Sequence, residues 1–95
     1  MGIDELIVKS AHTCGGSARL AGKRIPVRSI YRWFLSGADP EQILQKYEGA
    51  SLAEIYAAIA YALANHEEIL AEITEEDHLA DDARAQAKSS SPVAA

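Results

Sequence analysis

The chain has a single cysteine, Cys14, so no internal disulfide can form. Small secreted domains without a large core usually depend on several disulfides, so the expected setting is a reducing one, the cytoplasm. There is no long apolar run. The first ten residues, MGIDELIVKS, place acids ahead of a short hydrophobic stretch, which resembles neither a signal peptide nor a membrane span, and no membrane partner is expected. Bulky side chains are scarce: one tryptophan and one phenylalanine in 95 residues, with much of the 48% hydrophobic content supplied by alanine. A chain of this size builds one core, and a thin one, so dimerisation is expected.

Catalytic and cofactor signatures are missing as well. Gly15 and Gly16 belong to no GxxxxGK[ST] pattern. His12 and Cys14 offer two metal ligands, His66 stands alone, and zinc normally takes four in paired spacings. The carboxylates Glu75, Glu76, Asp77, Asp81 and Asp82 lack calcium-loop spacing, and read as a solvated face or as a docking peptide for a basic groove. No catalytic residue, metal site or cofactor is assigned, and the expected function is binding.

Charge is unevenly distributed. Through Lys46, seven cations face four carboxylates, a balance of +3; from Tyr47 onward, Arg84 and Lys88 face ten carboxylates, a balance of -8. Between Lys9 and Ala38 there are six basic residues and no acid. Such a half can approach phosphate or an acidic protein site, while the other half is repelled by nucleic acid.

Local signals predict a mainly α domain in four parts. Residues 1–26 form a β arm, with extended segments at 6–9, 18–20 and 23–26, separated by turns at Gly15-Gly16 and Ala21-Gly22 and closed by Pro26. Residues 27–66 form a trihelical, helix-turn-helix core. Its first helix runs from Val27 to Ser36, with Val27, Ile30, Tyr31, Phe34 and Leu35 as the apolar stripe and Arg28 and Arg32 together on the opposite face, toward solvent or a partner. The second starts at Asp39-Pro40-Glu41-Gln42, buries Ile43, Leu44 and Tyr47, and closes at 48–50. The third starts at Ser51-Leu52-Ala53-Glu54; both starts are capping boxes. Its inner face is Leu52, Ile55, Ile59, Ala62 and Leu63, and its outer face is Ala53, Glu54, Tyr56, Ala57, Ala60, Tyr61 and Ala64. Residues 67–88 form an acidic helix with a weak stripe (Ile69, Leu70, Ile73, then Leu79, Ala80 and Ala83), which needs a partner to cover it, and 89–95 form a disordered end.

Two capped helices across a short glycine turn have helix-turn-helix form. The outer face of the third helix nevertheless offers no arginine, lysine, asparagine or glutamine to read bases before Asn65, which favours a scaffold or dimerisation role. Contact with phosphate or an acidic partner falls instead to Arg19, Lys23, Arg24, Arg28 and Arg32. The competing reading is that this basic face balances the acidic half within the molecule.

The elements Cys14-Gly15-Gly16, Gly22, Arg24-Ile25-Pro26-Val27, Gly37 with Pro40-Glu41-Gln42-Ile43, and Tyr56-Ala57-Ala58-Ile59-Ala60-Tyr61 resemble the bacterial family called domain of unknown function four-three-three. The resemblance spans roughly residues 7 to 70, with Lys23 where the family commonly has threonine. It implies a homeodomain-like helical fold and an antitoxin role beside a PIN-type toxin; the helix-turn-helix form adds the protein's own operator DNA as a further candidate partner. A stand-alone transcriptional regulator, and an interaction module with no nucleic-acid role, are the alternatives.

Overall fold

The computed structural model describes residues 3–9 and 16–90. His12, Cys14 and Gly15 therefore lie outside the described residues. The chain is mainly helical, with a short antiparallel strand pair near its N-terminus. In order, the elements are α1 (Ile3–Leu6), β1 (Ile7–Val8), β2 (Arg19–Leu20), α2 (Val27–Leu35), α3 (Pro40–Leu44), α4 (Leu52–Ala64) and α5 (His66–Ser90).

The strands pair Ile7 with Leu20 and Val8 with Arg19. After β2 the chain reverses at Ala21-Gly22, where Gly22 has φ +75°, a region that side chains with a Cβ rarely occupy. The returning segment lies on the strand, with the Leu20 amide donating to Ile25 O (3.0 Å) and the Val27 amide to Ala18 O (2.9 Å). Pro26 is the N-cap of α2 and not its first helical residue; its extended ψ of 145° turns the chain into the helix at Val27. α2 ends in a Schellman turn: Gly37, at φ +103°, donates to Phe34 O, and Ala38 donates to Trp33 O.

Both capping boxes form. The Gln42 amide donates to Asp39 Oδ1 and the Asp39 amide to Gln42 Oε1, each at 2.9 Å. Ser51 and Glu54 make the corresponding pair at the start of α4. α3 is shorter than its apolar pattern suggests: after Leu44 the amides of Lys46 and Tyr47 bond three residues back, and the chain tightens toward Gly49.

α2, α3 and α4 pack mutually as the three-helix unit, α4 also carries the strand pair, and α5 lies on α2. Val27, Ile30, Tyr31, Ile43, Ile55, Ala58, Ala62 and Ile69 are fully or almost fully buried, with Leu20 from β2 among them. The Tyr31 hydroxyl, inside this core, shares a 2.8 Å hydrogen bond with His66 Nδ1, so its polar atom is satisfied.

Four expectations about faces are corrected. Leu35 and Leu63, expected inside, are more than half exposed; Glu54 and Ala57, expected outside, are buried. The strand pair and the loop carrying Lys23 cover a flank of α4 that periodicity alone leaves to solvent. The acidic helix also differs from its expectation: its first half finds cover within its own chain, where Ile69 is fully buried and Ile73 packs against the core. α5 reaches Ser90, and 91–95 lie outside the described residues.

Ser51→Ala removes a cap from the most enclosed helix. We expect a loss of about 1 kcal/mol, a melting temperature lower by roughly 4–8 °C, and unchanged helicity at 20 °C by circular dichroism.

Candidate functional site

Arg28 and Arg32 do project from one face of α2, and that face is covered by α5. The Glu76 carboxylate is held by both: Arg28 Nε donates to Oε2 at 3.1 Å and Arg32 Nε to Oε1 at 2.9 Å. Arg32 also reaches Asp77 (2.5 Å) and the Ile73 carbonyl (3.4 Å), and Arg28 lies 3.9 Å from Glu72. Two arginines four residues apart thus meet carboxylates four residues apart, Glu72 and Glu76, with Asp77 beside them. Burial raises the Glu76 pKa, but the hydrogen bonds from Arg28 and Arg32 outweigh it and hold the carboxyl below its usual range.

Lys23 is engaged too. Its ammonium donates to Glu54 at 2.8 Å, and the Glu54 side chain is only 9% exposed. Burial pushes the Glu54 pKa up; the Lys23 hydrogen bond, with those from the Ser51 backbone and hydroxyl, more than reverses this and leaves it lowered. Arg19 turns inward on its own loop, donating to the carbonyls of Leu20 and Lys23 at 3.3 Å each. Arg24 alone of the five expected contact residues is exposed with no ion pair among the described residues. Gly16 and Gly22 occupy left-handed turns at φ +85° and +75°.

The basic set is therefore divided. Arg28 and Arg32 form one cluster with α5, while Lys23 lies with Arg19 and Arg24 at the strand turn. Sequence reasoning missed Glu72, Glu76, Asp77 and Glu54 as their partners. The matched four-residue spacing in the two helices was a readable signal for the first cluster; nothing local links Lys23 to Glu54, 31 positions away.

Other surfaces carry exposed apolar groups. Trp33 is 41% exposed and lies under the Lys46 ammonium, 4.0 Å from the ring centroid, beside Gln42 and Gln45. Tyr56 and Leu63 stand out from α4, and Leu79 from the distal half of α5. Among the described residues no three histidine, cysteine or acidic side chains converge as a metal site. No helix there is long and apolar enough to cross a membrane.

The family model described as "Protein of unknown function (DUF433)" matches residues 7–62, which takes in the strand pair, α2, α3 and α4 as far as Ala62. The chain belongs to this family. A crystal structure of a DUF433 member protein from Anabaena variabilis is similar in fold, with a TM-score of 0.69 and 32% identity over 76% of this chain and 71% of that one. No curated protein matches. The matched region ends before α5, so the family match includes Arg28 and Arg32 but not their carboxylate partners.

Because Glu54 and Glu76 are held below the unfolded carboxyl value, the stability they contribute is complete above that value and is lost as pH falls through the lowered native ones. The melting temperature should accordingly fall steeply below about pH 4.5. Lys23→Met should cost about 1–3 kcal/mol at neutral pH, since it strands a buried carboxylate, and that deficit should shrink in acid as Glu54 takes up a proton. Equal deficits at both pH values would mean that the ion pair does not carry the effect.

Proposed function

We propose that this chain is a non-catalytic, antitoxin-like cytoplasmic protein that binds a partner protein through the distal half of α5, the partner being a PIN-type nuclease toxin. The observation that carries the reading is the division of α5 at Asp77. Up to that point the helix is fastened to α2 by Arg28 and Arg32; beyond it, Leu79 is 58% exposed and every residue through Gln86 faces solvent. A 25-residue helix is about 37 Å long, and the 58 Å long axis of the molecule, against 29 and 24 Å across, reflects its reach past the core.

An unsupported half-helix of this kind is marginal alone and gains by packing its thin apolar side, Leu79, Ala80 and Ala83, on another protein. Its other residues suit a nuclease. An enzyme that grips a nucleic-acid backbone has a cationic groove, which Asp81 and Asp82 complement, while Arg84, paired with Asp81 at 2.8 Å on the exposed surface, is placed to exchange that carboxylate for an acidic one on the partner.

Operator reading by α4 has less support. Its outward residues carry no cation, and Arg28 and Arg32, two of the five expected phosphate contacts, are already satisfied by carboxylates.

The test is co-expression with the product of the neighbouring gene. The full chain should co-purify with it and suppress its ribonuclease activity. A chain ending at His78 should keep its fold, by circular dichroism and melting, and bind at least about 100-fold more weakly. The proposal is wrong if the full chain neither co-purifies nor lowers cleavage.

A further inference from the structure

α4 is hydrophobic all round, a pattern expected of a helix covered on every side. It is not so covered. α2, α3 and the strand pair enclose most of it, leaving one stripe of exposed Ala53, Tyr56, Leu63 and Ala64 with half-buried Ala60 between them, Tyr56 being 55% and Leu63 56% exposed. The sole charge within α4, Glu54, has been turned off this stripe, buried against Lys23 and bonded back to Ser51.

We propose that the stripe is a homodimer interface, in which two copies pack α4 antiparallel about a two-fold axis. The reading is independent of any toxin partner, since it uses α4 and not α5.

Two features select a second copy as the occupant. The first is the order of sizes. Along Ala53, Tyr56, Ala60 and Leu63 the spacing is three, four and three residues, the seam of a coiled coil, and small and large alternate. Reversing one copy at the level of residue 58 sets Tyr56 against the partner's Ala60 and Leu63 against the partner's Ala53. Each large group meets a small one, and the two-fold repeats every contact, as an isologous interface requires. Parallel packing would instead set Tyr56 on the partner's Tyr56.

The second is charge. Two chains of net charge -5 repel each other, so a self-contact must avoid carboxylates, and the stripe holds none. Its two ends are complementary. Arg24, exposed, follows Lys23 at the N-terminal turn of α4, and Glu67, also exposed, follows the C-terminal end. Antiparallel packing brings the cationic end of one copy toward the anionic end of the other, and opposes the two helix dipoles favourably.

Extent sets the strength of the contact. From Ala53 to Ala64 the stripe is roughly 17 Å long, too short alone for the roughly 800 Å² per partner typical of stable interfaces, so the dimer should form on the order of micromolar concentrations.

Sedimentation of the isolated full chain, from roughly 1 to 300 μM, should show monomer passing to dimer. Leu63→Glu, a change at an exposed position, should keep helicity and melting temperature and raise the dimer dissociation constant at least about tenfold. In a Cys14→Ser background, Ala53→Cys with Leu63→Cys should oxidise to a covalent dimer, because those positions face each other across the axis, while Tyr56→Cys alone should not. A monomer throughout the concentration range, a dimer indifferent to Leu63→Glu, or self-crosslinking of Tyr56→Cys would each overturn the proposal.

Discussion

One carboxylate between two guanidinium groups organises this molecule. With Glu76 bonded to Arg28 and Arg32, α5 is held along α2, and the two arginines of that face are answered by carboxylates of the acidic half. Exposed ion pairs contribute little individually, because water already serves both charges. Here the charges are partly buried, share partners, and lie beside Ile69 and Ile73, so the apolar contact and the ionic lattice fix the helix together. What remains available to other molecules then includes the strand-turn cation Arg24, the Trp33 surface, the outer stripe of α4 and the half of α5 beyond Asp77.

The same fastening explains why a helix-turn-helix outline need not bring nucleic-acid recognition with it. The helix in the recognition position, α4, is the structural centre, contacted by α2, α3 and both strands. Alanines suit that duty, since Ala58 and Ala62, fully buried, let neighbouring backbones approach closely. A helix built for close packing has few positions left for the long polar side chains that reach base edges. Belonging to a family of unknown function is compatible with several roles for this scaffold, so the roles have to be argued from the surfaces.

Much of the fold was legible in the sequence wherever the information is local. Asp39 and Ser51 mark helix starts because a short side-chain oxygen meets an amide three residues away. Gly22 and Gly37 mark reversals because both stand at positive φ. Arg28 and Arg32 were placeable on one face by spacing. The candidate contact residues were less legible. Arg28 and Arg32 satisfy acids more than 40 positions away, and Lys23 satisfies one 31 positions away. Leu63 and Glu54 misled for a related reason: hydrophobicity indicates what a side chain prefers, not which neighbour arrives to cover it.

The sequence alone determined the capped starts of α3 and α4, the glycine turns and the separation of charge, the first two set by interactions between residues a few positions apart. Only the tertiary structure decided which charges meet and which faces stay open. Pairing Arg32 with Glu76, or hiding Glu54 behind Lys23, depends on packing elements whose relative placement is set by the whole core at once. The free energy of an ion pair follows from distance and burial, and neither is written in the order of the residues.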